Sequence, residues 1–203
     1  LFVSEALWEV AAPAITDNPY LRHVMVIGDA PENTTSYADF IKDAPLMGTS
    51  PKSPDEVAFW LYSSGSTGQP KGVAHVHSAL RATSDTYGAQ VLGIKQSDTV
   101  LSAAKFFFAY GLGNAMTFPL SVGAKTVLFG GRPTPQGMIE TIGTHKPTVF
   151  CGVPTLYAAM VAEMDKSGFP VTPLRICISA GEALPEDVGV RWERHTNVEI
   201  LDG

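Results

Sequence analysis

The sequence predicts an α/β fold in which a largely parallel, buried sheet is flanked by helices. From residue 99 onward, apolar segments of strand length alternate with helical segments of roughly 10 to 15 residues, which is typical of βαβ units. Polar or glycine-rich turns follow several predicted strands, and ligands gather at the carboxyl ends of strands in such sheets. Hydrophobic residues make up 45% of the chain, as expected for a protein with a sizeable core.

The first part of the chain is predicted to contain short, mixed elements. Ser4 is the predicted cap of the first helix, and the proline-rich residues 44–55 form a surface connection. A strand at 57–62 and its partner at 73–77 place the intervening loop at the tip of a hairpin-like turn. The predicted helices are 4–12, 35–43 and 78–90, and the predicted strands are 24–27, 57–62 and 73–77.

The second part of the chain contains the predicted parallel sheet. Its strands are expected at 99–104, 125–129, 148–151, 174–179 and 198–201. Its helices are expected at 112–120, 136–145, 154–164 and 185–196.

Composition excludes several classes of function. A net charge of −6 with only 14 Lys and Arg residues argues against nucleic acid as a partner. Residues 106–124 carry no charge over nearly the length of a bilayer span, but glycines and Pro119 interrupt them, which favours a core segment over a membrane partner. Cys151 and Cys177 are isolated thiols in apolar surroundings, which favours buried, reduced cysteines and a cytoplasmic location.

The most informative segment is residues 62–72, which read Tyr-Ser-Ser-Gly-Ser-Thr-Gly-Gln-Pro-Lys-Gly. Such a loop offers closely spaced backbone N–H groups, hydroxyls and one cation, as polyphosphate binding requires. A flexible Gly/Ser linker explains the composition but not the Pro-Lys-Gly ending. The residues predicted to bind phosphate are Ser63, Ser64, Gly65, Ser66, Thr67, Gly68 and Lys71.

Two other loop motifs fit this segment less well. A P-loop aligned on Lys71 has Pro70 in place of its second glycine and Gly72 in place of its metal-binding hydroxyl. A nucleophile elbow centred on Ser66 lacks its first glycine, and a hydrolase would take His75 or His195 as its base without support from spacing.

The loop resembles the signature of the adenylate-forming superfamily, which includes acyl-CoA synthetases, luciferases and adenylation domains of peptide synthetases. Residues 63–72 match that signature throughout, and 179–185 (Ser-Ala-Gly-Glu-Ala-Leu-Pro) resemble the adenine-side motif. Residues 106–114 (Phe-Phe-Phe-Ala-Tyr-Gly-Leu-Gly-Asn) resemble the acyl-pocket segment of benzoate-CoA ligases. The resemblance extends from about Val24 to Gly203 and is closest to the aryl-CoA ligases.

The resemblance implies ATP-dependent activation of an aromatic acid, most simply benzoate, to an acyl-adenylate and then to aroyl-CoA, with release of pyrophosphate and AMP, in aromatic compound degradation. It assigns ATP, Mg²⁺ and coenzyme A as cofactors, catalysis to Thr67 and Lys71, and metal binding to Thr67. The implied nucleotide-binding residues are Ala180, Gly181, Glu182, Asp202 and Gly203. The implied acid-binding residues are Phe108, Ala109 and Tyr110, where aromatic walls and a small residue leave space for a flat ring.

Several alternatives stay open at this point. The chain starts without Met and stops after a predicted strand, so it is expected to be an incomplete N-terminal AMP-binding domain, residues 1–203, without the small C-terminal domain and its catalytic lysine. By itself it is expected to be inactive. A ligase for another aryl or alkyl acid, or a non-catalytic module with this fold, is the alternative; the oligomeric state is not predicted.

Overall fold

The computed structural model describes residues 1–63 and 68–203. The chain divides into two compact units, Leu1–Pro51 and Lys52–Gly203. In the described residues, no helix combines the length and the apolar character needed to cross a membrane.

The first unit is a small parallel sheet with two helices. Its strands follow the order β1 (Phe2–Ser4), β2 (Met25–Ile27) and β3 (Thr35–Ser36), and its helices are α1 (Trp8–Ile15) and α2 (Tyr37–Lys42). The helix predicted at 4–12 is present, shifted towards the C-terminus: a 3-10 turn at Glu5–Leu7 leads directly into α1, and Ser4 is the residue before it. Ser4 also ends β1, which pairs with β2, and its side chain makes no capping hydrogen bond.

The second unit contains a hairpin and a larger α/β layer. The hairpin consists of β4 (Val57–Ser63) and β5 (Lys71–Val76), as predicted, although Lys71 already belongs to the strand. The remaining strands are β6 (Thr99–Ser102), β7 (Lys125–Val127), β8 (Val149–Gly152), β9 (Ile176–Ser179) and β10 (Ile200–Asp202). The helices are α3 (His77–Thr83), α4 (Ala109–Leu112), α5 (Phe118–Ser121), α6 (Pro135–His145), α7 (Pro154–Ser167) and α8 (Glu186–Thr196).

Strands β6 to β10 form one sheet in which every neighbouring pair is parallel. Their order is β10-β9-β8-β6-β7, with helical segments in the connections, as the alternating sequence pattern predicted. The predicted α/β class with a parallel sheet is therefore confirmed. Phe150 pairs with Cys177, and Cys151 pairs with Ile178, so the two thiols lie on opposite faces of the sheet.

Each face of this sheet is covered by helices. On the first face, α6, α7 and α8 pack on the strands through buried side chains such as Met138, Tyr157 and Trp192. On the second face, Phe118 of α5 packs with Leu92 and other apolar residues. Central strands buried on both faces explain the near-continuous apolar runs in the sequence.

The helices of the second face contain π-helical segments that the sequence did not predict. Ser84–Val91 continues α3, and Gly113–Thr117 joins α4 to α5, so one helical stretch runs from Ala109 to Ser121. The helix therefore starts three residues before the predicted residue 112. The first residues of the core segment predicted at 106–124 are not part of the core, because all three phenylalanines of 106–108 are exposed and lie in the turn before α4.

The amino ends of the strands are joined by a buried carboxylate. Asp98, which is only 3% exposed, lies just before β6 and accepts hydrogen bonds from the Lys95 N–H at 2.7 Å and the Thr148 hydroxyl at 2.7 Å. Arg175, just before β9, donates to the same carboxylate from Nε at 2.9 Å and also forms an ion pair with it. This hydrogen bonding lowers the pKa of Asp98 to about 2.

Candidate active site

The predicted phosphate-binding loop connects the two strands of the hairpin. Ser63 pairs with Lys71, so the two ends of the loop lie side by side. Four predicted phosphate-binding residues, one of them also the predicted Mg²⁺ ligand, lie outside the described residues: Ser64, Gly65, Ser66 and Thr67. Gly68 has a φ of +75°, which favours glycine, and a Cβ there would meet no atom within 4 Å. The described ends of the loop are exposed.

The other predicted nucleotide-binding segments meet at the carboxyl edge of the parallel sheet. Asp202 pairs with Ser179, and the Gly203 N–H donates to the Ser179 carbonyl at 2.9 Å. The Asp202 carboxylate accepts a hydrogen bond from the Leu184 N–H at 3.1 Å. The structure thus brings 180–182 next to 202–203, as predicted, whereas the phosphate loop belongs to a separate antiparallel hairpin.

The turn after β9 has room for a ligand at its backbone. Gly181 has a φ of +99° and no atom within 4 Å of a Cβ placed on it. Glu182 is exposed and lies four residues before α8, so it is not a helix-start carboxylate; Glu186 has that position. The Ser179 hydroxyl is fully buried and has no hydrogen-bond partner among the described residues. The open glycine turn lets a ligand approach the backbone closely, whereas the Ser179 hydroxyl is enclosed by the protein.

A cavity of about 1000 Å³ opens beside this turn, mostly lined by apolar side chains. Phe107, Phe108 and Tyr110 form one wall, Val153 and Leu156 another, and Gly181 borders it. Residues that follow four different strands, β6, β7, β8 and β9, contribute to the lining, which places the cavity where ligands bind in parallel sheets. Its apolar and aromatic lining suits an aromatic molecule, and its volume leaves room for further groups attached to it.

Of the three predicted acid-binding residues, the structure places two in this lining. Ala109 is exposed and lies outside it, because α4 begins at this residue and successive helical side chains diverge by about 100°. Ala109 is therefore not the residue that leaves space for a ring in this structure. Val153 and Thr155, at the junction of β8 and α7, also contribute to the lining.

The hydroxyl of Tyr110, a predicted acid-binding residue, is hydrogen-bonded to the backbone of the sheet. It donates to the Ile178 carbonyl at 3.1 Å rather than pointing freely towards a substrate carboxylate, and burial raises the pKa of this phenol. Tyr157, fully buried on α7, donates to the same carbonyl at 3.0 Å. Both tyrosines thus fix the end of β9 next to Ser179. Sequence reasoning missed Tyr157, because nothing in the helical pattern distinguishes it from a core residue.

Two cations line the cavity, and they differ in their contacts. Lys105 donates from Nζ to the carbonyls of Phe129 and Gly131, the second at 2.7 Å. Arg132 is exposed at the rim. The structure shows that Lys105 is neither freely solvated nor freely available.

The two neighbouring histidines His75 and His77 belong to different elements, β5 and α3. His75 stacks on Phe59 with ring centroids 5.0 Å apart, and His77 is the first residue of α3. In the described parts of the chain, no group of three or more His, Cys, Asp or Glu residues is arranged to hold a metal ion.

Comparison with known proteins assigns nearly the whole chain to one protein family. A family model described as AMP-binding enzyme matches residues 2–203. A benzoate–CoA ligase of Thauera aromatica is 49% identical over 99% of this chain. A 4-hydroxybenzoate–CoA/benzoate–CoA ligase of Rhodopseudomonas palustris is 43% identical over 100% of it. The chain spans 38% of the length of each of these relatives.

Solved structures with the same architecture also match nearly all of the chain. A benzoate CoA ligase from Burkholderia xenovorans superposes with a TM-score of 0.85 and 41% identity, covering 100% of this chain and 40% of that one. An anthranilate CoA ligase solved with anthranoyl-AMP superposes with a TM-score of 0.91 and 35% identity, covering 98% of this chain and 39% of that one.

Proposed function

The chain belongs to the AMP-binding enzyme family, and from this premise we propose that the protein containing it converts an aromatic acid, with benzoate as the first candidate, into its CoA thioester. The observation that carries the proposal is the apolar cavity beside the turn 179–181, with aromatic side chains on one wall. Relatives named for benzoate, at 49% and 43% identity, support the choice of acid.

The cavity provides the chemistry for holding an aryl acid. The lining offers Phe107 and Phe108 as aromatic surfaces for a flat ring, together with the aliphatic side chains of Val153 and Leu156. The ring's carboxylate then faces the Ala180–Gly181 backbone at the sheet edge, where the acyl group meets the nucleotide. The described lining contains no Asp or Glu, so a bound carboxylate meets no like charge there.

The proposed reaction has two halves. A carboxylate oxygen attacks the α-phosphorus of ATP, and the bond to pyrophosphate breaks, giving an acyl-adenylate; the CoA thiol then displaces AMP. The phosphate loop would neutralise the phosphates during the first half, with Lys71 as its fixed cation. Mg²⁺, held at Thr67, would supply further positive charge. Ala180, Gly181 and Glu182 with Asp202 and Gly203 would border the nucleotide.

A second aromatic acid is a candidate substrate because of one structural similarity. The anthranilate CoA ligase structure superposes with a TM-score of 0.91, so 2-aminobenzoate is the alternative substrate. Benzoate and 2-aminobenzoate differ by one polar group on the ring. The ratio of kcat/KM for the two acids decides between them.

The experiment uses the protein encoded by the complete open reading frame. Benzoate-dependent exchange of pyrophosphate into ATP isolates the first half-reaction, and Lys71→Ala and Thr67→Ala are each expected to slow it about a hundredfold. Lys125→Ala is the matched control, because this exposed lysine begins β7 at the opposite end of the sheet from the cavity. Unchanged exchange in both loop variants, or no dependence on any aryl acid, would overturn the proposal.

A further inference from the structure

One ammonium group joins two of the chain segments that line the cavity. Lys105 follows β6, and its Nζ donates to the carbonyls of Phe129 and Gly131, which follow β7. The same Nζ lies 5.5 Å from the centroid of the Phe129 ring. Carbonyl oxygens and a π face both stabilise a cation without neutralising it through a carboxylate.

The segment on the Lys105 side is held rigidly by its own helix. The Phe108 N–H donates to the Lys105 carbonyl at 3.1 Å, closing the turn before α4. A Cβ on Gly111 would come within 2.1 Å of that same carbonyl oxygen, so only glycine lets α4 approach so closely. Lys105 therefore starts from a fixed backbone position.

The segment on the other side is anchored at Phe129, whose partly buried side chain packs against the core, but the two glycines that follow have few contacts. Residues 128–134 have no regular structure between β7 and α6, and they include Gly130 and Gly131. A Cβ placed on Gly130 would meet no atom within 4 Å, and a Cβ placed on Gly131 would meet only the Phe129 ring. Two consecutive glycines allow many backbone conformations, so an external contact is needed to select one.

We infer that Lys105 is a positioning residue that fixes the spacing between these two segments and so sets the fit of the acid in the cavity. The inference rests on the proposed function for its substrate. Lys105 acts through the Phe129–Gly131 backbone and the aromatic wall at Phe107 and Phe108, not through contact with the reacting atoms. It is thus a determinant of acid binding rather than of nucleotide binding.

The test compares three variants of the complete protein. Lys105→Met keeps the length of the side chain but removes its donors, and the KM for benzoate should rise about tenfold while the KM for ATP stays within about twofold. Lys105→Arg keeps donors for both carbonyls and should restore most of the loss. Lys125→Met removes the same charge from the other end of the sheet and should leave both KM values unchanged.

Arg132→Met separates positioning from charge. It removes a cation from the same cavity lining without touching the Phe129 and Gly131 carbonyls. If it raises the KM for benzoate as much as Lys105→Met does, the inference fails, because charge alone then explains the effect. Equal increases in the KM for benzoate and for ATP in Lys105→Met also overturn it.

A structural readout keeps the inference separate from the proposed function. Crystal structures of the wild type and Lys105→Met, superposed on β6 and β8, should show Gly131 displaced by more than about 1 Å. An unchanged position of Gly131 refutes the positioning role even if the protein activates benzoate. If the wild type activates no aryl acid, the proposed function fails, and this displacement still decides whether Lys105 holds the segment. If Lys105→Met does not fold, the Lys105→Gln variant replaces it in both measurements.

Discussion

The two ends of the parallel sheet differ in how they satisfy their polar groups. At the amino end, Asp98 is buried and collects hydrogen bonds from residues before β6, β8 and β9. At the carboxyl end, the chain leaves the sheet through turns that contain Gly130, Gly131 and Gly181 and that surround a cavity. The first end has charges paired inside the protein, whereas the second has open backbone at glycine turns that border the cavity.

This difference separates stability from binding within one sheet. The Asp98 carboxylate accepts hydrogen bonds from Thr148 and Arg175, which are 50 and 77 residues away in sequence, and so holds three strand ends together. It lies at the opposite end of the sheet from the cavity. The glycine turns leave backbone uncovered at the cavity, where the acid of the proposed function could approach it closely. Substitutions at the two ends should therefore change different measured quantities.

The largest expected effect comes from the amino end. Asp98→Ala leaves the Arg175 guanidinium and the Thr148 hydroxyl without their partner, and it should lower the free energy of unfolding by about 4 kcal/mol. Urea denaturation measures this loss, and the KM for the acid should be unchanged. Asp187→Ala is the control, since its carboxylate is exposed and lies 4.0 Å from Arg191, and it should have no measurable effect. A raised KM in folded Asp98→Ala would contradict the separation.

A smaller loss of stability is expected from a substitution at Gly111, where α4 packs against the turn that lines the cavity. Gly111→Ala forces a Cβ against the Lys105 and Ala104 carbonyl oxygens, at 2.1 and 2.7 Å, and should cost about 3 kcal/mol because backbone must move. Unlike Asp98→Ala, it should also raise the KM for the acid. Gly189→Ala in α8 is the control, because its Cβ meets only Leu184 at 3.6 Å. A Gly111→Ala protein with wild-type stability would show that the approach of α4 is not as close as described.

The smallest effect is a pH dependence. The pKa of Asp98 is lowered from 3.8 to about 2 by its hydrogen bonds with Arg175, so its ionised form favours the folded state. The stabilisation is present above pH 4 and is lost as the pH falls through about 2, which amounts to about 2 kcal/mol. The stability difference between the wild type and Asp98→Asn should shrink by this amount between about pH 5 and pH 2. A constant difference would contradict the assigned ionisation.

The sequence predicted the parallel sheet well because each strand is a short apolar run bounded by polar turns. It also predicted that 180–182 and 202–203 lie together, since parallel strand ends share one edge. It did not predict the π-helical segment Gly113–Thr117 or the early start of α4 at Ala109. Those depend on how Gly111 packs against the preceding turn, which local periodicity does not report.

The cavity could be predicted only in part for a similar reason. Phe108 and Tyr110 line it as their motif indicated, but Ala109 between them does not, because a helix replaces the expected extended chain. The roles of Lys105 and Tyr157 depend on carbonyls 24 and 21 residues away in sequence, so no motif contains them. Contacts of this kind require the folded backbone.

The positions of the two cysteines have a consequence for chemical labelling. Cys151 and Cys177 lie on adjacent strands but on opposite faces, so each thiol is covered by a different set of helices. Burial raises the pKa of both, that of Cys177 to about 12, which keeps them as unreactive thiols in the folded protein. Reaction with a thiol reagent therefore requires a face of the sheet to open. The two labelling rates would report separately on the local unfolding of each helical layer, with no engineered probe.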